Sequence, residues 1–337
     1  MQTQLTIQPL KNILDGKTLS EYINDDVLQR LICSSLPKPV MNKLTRQFYD
    51  NEKKQLEALH TKTKNGLAQI KYKRQSRKYG RVNPENGIGL SMLSKRIRHT
   101  LCKDVYEDVD IVNCHPVILY QVCQYNNIDC PNLSIYITDR DTKLREVMAQ
   151  YDVSRDEAKK LFIRLLYFGS FENWRNDINI NRVDKIRNIV PSNYLNSFKT
   201  ELSCIGNTIS ALNPKIREQV LHQKGVDTPE HDIKSSIVSN YLQELEIRIL
   251  ENMFKTCITH KWITTNAVLC FDGLMIPKAN YNDDILPILC KEVKQELGFD
   301  IELTTKPFYD YYTPLEIQTA QFINNNQIET QYQLKKS

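Results

Sequence analysis

Apolar and polar positions alternate along this chain with two different periods. Ile237, Tyr241, Leu245, Ile249 and Met253 recur every fourth residue, which predicts a long amphipathic helix over 233–256 with its stripe turned to a core. The same kind of pattern predicts helices over Leu19–Leu31 and from Lys43 to about His60, divided by Pro37 and Pro39. Ser154 and Glu157 form a capping-box start for a helix that runs to about Phe168 and stops at Gly169. Pro116 opens an apolar helix, Val117–Cys123, and a helix over Ile285–Leu297 ends at Gly298. Shorter β-favouring runs lie between these helices. One follows Arg96–Leu101 and ends near Val112, Ala267–Phe271 and Leu274–Pro277 flank the hairpin-turn signal Asp272-Gly273, and Asp300–Thr304 is the last. Residues 61–90 read as extended or looped and 170–225 as poorly defined. Beyond Tyr312 a Gln/Asn-rich stretch reads as a helix fading into a polar tail. Few strands among many helices give an α+β fold, with no internal repeat.

Composition narrows the picture. With 41% hydrophobic and 25% charged residues, the 337-residue chain is of a soluble, globular kind, and no stretch approaches the ~18 apolar residues of a membrane span. The start lacks the basic-then-apolar layout of a secretory signal. Nine cysteines without paired spacing argue for reduced thiols in an intracellular, cytosol-like compartment, and Cys257/His260 has no second pair to complete a zinc site. Gly16-Lys17-Thr18 lacks the glycine five residues earlier that a P-loop needs, so no ATPase is expected. The net charge of +5 is modest, but its distribution is uneven. From Ala58 to Pro84 there is no acidic residue, whereas Lys71, Lys73, Arg74, Arg77, Lys78 and Arg81 crowd the second half, with Tyr72 and Tyr79 interleaved. Such a stretch suits tracking along a DNA backbone, and equally a solvated linker.

The chemistry centres on two carboxylates. Asp110 and Asp272 each stand in or beside an apolar, β-favouring run, where a negative charge is costly unless a cation neutralises it. Asp108 shares Asp110's face by period-two alternation and is a reserve ligand. Arg155, Lys159, Ile163 and Tyr167, each four apart, line one face of the capped helix. Two cations followed by an apolar and a phenolic group suit a nucleoside triphosphate, and would equally describe a solvated helix face. Carboxylates converging from separate strands on a basic helix are how a two-metal phosphoryl- or nucleotidyl-transfer site is built.

Three motifs in this order resemble family A DNA polymerases. Asp110-Ile-Val-Asn-Cys-His115 is similar to the palm motif A, and Arg155, Lys159, Ile163, Tyr167, Phe168 and Gly169 to the fingers motif B. Phe271-Asp272-Gly273 resembles motif C, where the family has His-Asp-Glu, and Tyr79-Gly80-Arg81 resembles the Gly-Arg segment that contacts the primer–template duplex. The likeness is nearest to divergent members from virophages, giant viruses and large DNA transposons, and spans roughly residues 75–310.

The resemblance implies a right-hand polymerase: an antiparallel palm sheet and helical fingers over 76–312, a small helical thumb and basic stretch in 1–75, and a tail over 313–337. It implies that Asp110 and Asp272, with Asp108 in reserve, hold two Mg²⁺ (or Mn²⁺) ions. Arg155 and Lys159 would grip the triphosphate, Lys159 protonating the leaving group. Tyr167 would stack near the templating base, and Arg81 would touch the duplex. Expected partners are a DNA primer–template, dNTPs and a replicative helicase in trans, at a site of viral or mobile-element replication. The length leaves no room for a proofreading exonuclease. Three departures matter. His115 replaces the glutamate that excludes a ribose 2′-hydroxyl, so rNTP use, and with it primase or RNA polymerase activity on the same palm, stays open. Ile163 replaces an aromatic that packs on the sugar, and Gly273 replaces a secondary carboxylate. A catalytically inactive DNA-binding replication protein is the other class of reading.

Overall fold

The computed structural model describes residues 5–34, 40–41, 48–49, 51–74, 77–179 and 189–312. An N-terminal layer comes first: β1 (Thr18–Tyr22), α1 (Asp25–Cys33), β2 (Val40–Met41), β3 (Phe48–Tyr49), α2 (Asn51–Lys62), β4 (Thr63–Lys64), β5 (Leu67–Lys73) and β6 (Asn83–Pro84). Strands β1, β4 and β6 all pair antiparallel with β5. The helical reading of Leu19–Leu31 is therefore half wrong. Residues 18–22 alternate exposed and buried with period two, and Asn24 caps α1 by accepting a hydrogen bond from the Val27 amide at 3.1 Å. The region expected to form a helical thumb is a mixed helix-and-sheet layer. Residues 42–47, within the stretch read as the start of the second helix, lie outside the described residues.

The second part holds α3 (Lys95–Cys102), β7 (Tyr106–Ile111), α4 (Cys114–Tyr125), α5 (Pro131–Thr138), α6 (Arg140–Tyr151), α7 (Arg155–Leu166) and α8 (Phe171–Asn179). After it come α9 (Asn193–Leu212), α10 (Pro214–Lys224), α11 (Glu230–Thr259), β8 (Val268–Leu269), β9 (Gly273–Pro277), α12 (Ile285–Leu297) and β10 (Leu303–Lys306). The stretch read as poorly defined thus carries three helices outside residues 180–188, and the polar tail beyond 312 lies outside the described residues. The sheet runs β10-β7-β9-β8, every pair antiparallel. Mixed helix and antiparallel sheet bear out the α+β expectation. No helix among the described residues is long and apolar enough to cross a membrane.

Two buried side chains tie the N-terminal layer to this sheet. The Tyr72 hydroxyl donates to Glu21 Oε1 at 2.6 Å and accepts from the Leu269 amide of β8 at 3.2 Å. The Leu90 amide donates to the other Glu21 oxygen at 2.7 Å. Burial drives the Glu21 carboxyl up to about 7, against these hydrogen bonds, which favour its ionised form. One hydrophobic core runs through both layers, so the N-terminal sheet acts as a fixed support for the strands that carry the aspartates.

Candidate active site

Asp110 lies near the end of β7, flanked by β10 and β9: Thr304 stands opposite it on one side and Gly273 on the other. Val109 and Ile111 point into the core, so Asp108 and Asp110 share the opposite face. Asp272 sits in the two-residue turn joining β8 to β9, closed by mutual hydrogen bonds between Cys270 and Gly273 of 2.8 and 3.1 Å. The turn is one residue earlier than the Asp-Gly signal implied. Phe271 adopts the left-handed φ of 59°, a strained conformation for an aromatic residue, and Gly273 begins the strand. Gly273 is required by a close approach: a Cβ there would lie 2.1 Å from the Val109 carbonyl oxygen of β7. That contact leaves no space for any side chain at this position, and it brings the two aspartates onto one surface.

They open into a cleft of about 310 Å³ with Arg81, Asn113, His115, Lys159, Ile163 and Lys306. The capping box of α7 is fully formed, which fixes the register of its basic face. Lys159 and Ile163 reach the cleft, and both also line an adjoining groove with Tyr167. Arg155 does not line the cleft; it is exposed and pairs with Asp141 at 2.5 Å. Arg140, at the start of α6, takes a place on the wall, its Nε buried without a hydrogen-bond partner. Burial lowers the Lys159 ammonium pKa, and the neighbouring charges of Arg155 and Arg140 lower it further.

Asp110 is 6% exposed, and burial together with the Asp272 charge pushes its carboxyl up to about 7. Lys306 Nζ meets Asp110 Oδ2 at 2.5 Å and works in the opposite direction. Asp108 does not line the cleft; it is buried, with Oδ1 lacking any hydrogen-bond partner, and burial raises its carboxyl too. Asp110 and Asp272, with the Thr304 hydroxyl on the same wall, are hard oxygen donors of the kind that fits Mg²⁺ or Mn²⁺, whereas the ligand oxygens of Asp108, Asp110 and Asp272 do not all gather within 4.8 Å of one another.

The wall of the cleft carries a network of charged and polar contacts anchored on Glu246 of α11. Arg81 donates two hydrogen bonds to this carboxylate, at 2.5 and 2.7 Å, while its guanidinium lies 4.7 Å from the centre of the Phe271 ring. His115 Nε2 is 3.1 Å from Glu246, and His115 Nδ1 meets the Tyr167 hydroxyl. Burial works to raise the Glu246 carboxyl, but Arg81 and His115 outweigh it and hold the pKa below the usual range. Cys114, His115 and Glu246 place three ligand atoms within 4.8 Å of one another. Burial keeps the Cys114 thiol protonated and Arg81 already occupies the carboxylate, so this cluster fits a charge network better than a metal centre.

No family model matches the chain. A curated relative, "Putative helicase V13" of Sputnik virophage, is 32% identical over 230 residues, which make up 68% of this chain. The chain spans only 28% of that relative's length. Among solved structures, the POL domain of Pol1 from M. smegmatis, in complex with DNA primer-template and dNTP, superposes with a TM-score of 0.49 at 9% identity. The match covers 77% of this chain and 51% of that one.

The basic stretch behaves as three separate groups. Lys71, Arg77 and Lys78 are exposed, and Lys73 pairs with Glu85 at 2.6 Å. Arg74 turns inward to a buried ion pair with Glu244 at 2.8 Å, which corrects its assignment as a backbone-tracking cation. Arg81 is likewise taken up by Glu246, so it faces the cleft instead of standing free on a surface. Lys306, Arg140 and Glu246 escaped the sequence reading. Glu246 was hidden beside a stripe read as core packing, and Lys306 lies just past the predicted strand end. Only the pairing of β10 with β7 brings that lysine to Asp110.

Proposed function

We propose that this protein extends a nucleic-acid primer by nucleotidyl transfer, in a palm formed by the β10-β7-β9-β8 sheet and fingers formed around α7. One observation carries the reading: Asp110 and Asp272, distant in sequence, converge in a single cleft that faces Lys159 and Ile163. Asp110 and Asp272 would hold the divalent ions, with Asp108 in reserve. Two bound ions would supply activation of a primer hydroxyl and charge neutralisation at the leaving pyrophosphate. Lys159 and Arg140 would bind the triphosphate, and the depressed pKa of Lys159 suits it to give a proton to the leaving group. Ile163 would pack on the sugar, with His115, pinned between Tyr167 and Glu246, setting how much space the 2′ position has. The exposed Lys71, Arg77 and Lys78 would follow the backbone of a DNA primer–template. A helicase partner in trans accords with the name of the virophage relative, whose remaining length this chain does not cover.

The second reading is a catalytically inactive nucleic-acid-binding protein, favoured by the contact of Lys306 with Asp110. Primer extension with purified protein, run in parallel with dNTPs and with rNTPs and with Asp110→Ala and Asp272→Ala, separates the two. Polymerase function predicts incorporation that falls about a thousandfold in either variant, a barrier increase of ~4 kcal/mol. Activity that survives either substitution would sink the site assignment. DNA binding without incorporation would favour the inactive reading, and products on unprimed template would indicate a primase.

A further inference from the structure

Strand β10 brings a cation to the aspartate cleft from an unexpected direction. In the antiparallel register Lys306 stands opposite Asp108, yet its Nζ reaches diagonally to Asp110 Oδ2 at 2.5 Å. The lysine side chain is 52% exposed while that of Asp110 is 9% exposed, so the ammonium end can swing into solvent without opening the core. Around it stand Asp272, across the cleft, and the buried Asp108, whose Oδ1 has no hydrogen-bond partner.

Resting on the reading that Asp110 and Asp272 bind divalent ions, we propose that Lys306 is a tethered placeholder for the metal. Its ammonium neutralises Asp110 in the ion-free protein and vacates that oxygen when a divalent cation enters. Three carboxylates on one small surface repel one another, and a tethered positive charge relieves this. An ammonium and a dication at one carboxylate oxygen repel in turn, so loading becomes an exchange in which the lysine competes. The ion-free sheet stays ordered, and a higher divalent concentration is needed to fill the site.

Mn²⁺ binding to the full chain, followed by the electron paramagnetic resonance signal of free Mn²⁺ with no nucleotide or DNA present, tests the exchange. Lys306→Met and Lys306→Gln should each bind Mn²⁺ at least about tenfold more tightly than the parent, and Lys306→Arg should bind it about as the parent does. A lysine with a merely structural role would give weaker binding on removal. Unchanged or weaker affinity in both neutral variants therefore overturns the placeholder. Parallel titrations of Asp110→Ala and Asp272→Ala separate the layers of the argument. If these two lose Mn²⁺ while the lysine variants match the parent, only the placeholder fails. If they bind like the parent, the metal reading fails with it.

Discussion

His115 is held from two sides, by the Tyr167 hydroxyl at Nδ1 and by Glu246 at Nε2, and both contacts come from helices far from it in sequence. Behind the histidine, 3.1 Å from its Nε2, stands the Glu246 carboxylate of α11, so a negative charge lies beside the cleft with a histidine interposed. If His115 limits the space around the sugar, His115→Ala should raise the ratio of rNTP to dNTP incorporation by about tenfold, a difference of ~1.4 kcal/mol between the two transition states. Single-nucleotide extension measures this directly; an unchanged ratio would place the sugar elsewhere. The sequence singled out His115 but not what grips it, because Glu246 adjoins Leu245 in an apolar stripe and looks like the polar side of a packing helix.

Among the elements, those with strong local signals were legible: α7 with its capping box and α12 with its terminal glycine lie where pattern alone puts them. Strand β1 was not, because Leu19, Ile23, Leu28 and Leu31 also fit a helical spacing, and only pairing with β5 fixes residues 18–22 as a strand. The β8–β9 turn was legible in kind and off by one residue in place. Its geometry yields a prediction for the pairing of β7 with β9. A methyl group at residue 273 must push the Val109 carbonyl away, so Gly273→Ala should destabilise the fold by about 2–4 kcal/mol and lower incorporation along with it. Urea denaturation of the purified variant gives the number, and a loss under about 0.5 kcal/mol would mean that the two strands part easily.

For the molecule as a whole, two buried carboxyls, Glu21 and Asp110, share a pKa of about 7, well above their unfolded values. The folded state therefore holds their protons more tightly than the unfolded chain. Their stabilising contribution is complete below about pH 4 and is lost as pH rises through 7. His99 acts in the opposite direction lower down: burial takes its pKa to about 4, so its contribution grows as pH rises from about 4 to 6.5. Ion-free protein should consequently melt at a lower temperature at pH 8 than at pH 6.5. Mg²⁺ should recover the Asp110 share and leave the Glu21 share, and Asp110→Asn should lose the Mg²⁺ effect. Calorimetry at the two pH values, with and without Mg²⁺, checks each part, and a melting temperature that rises toward pH 8 without Mg²⁺ would refute the account.

Arg74 and residues 77–81 hold α11 as a clasp holds a rod. Glu244 and Glu246 lie two residues apart, about 200° around the helix, so they face nearly opposite ways. Arg74 takes one and Arg81 the other, and the Gly80 amide adds a hydrogen bond of 3.2 Å to Glu244. Inserting or deleting one residue in α11 ahead of Glu244 would turn both carboxylates by about 100° and leave two arginines facing the wrong side. The phase of this helix is therefore fixed by the clasp, whereas the loops around it carry no such constraint from these two ion pairs. Anyone transplanting the cleft into another scaffold must carry both pieces in register.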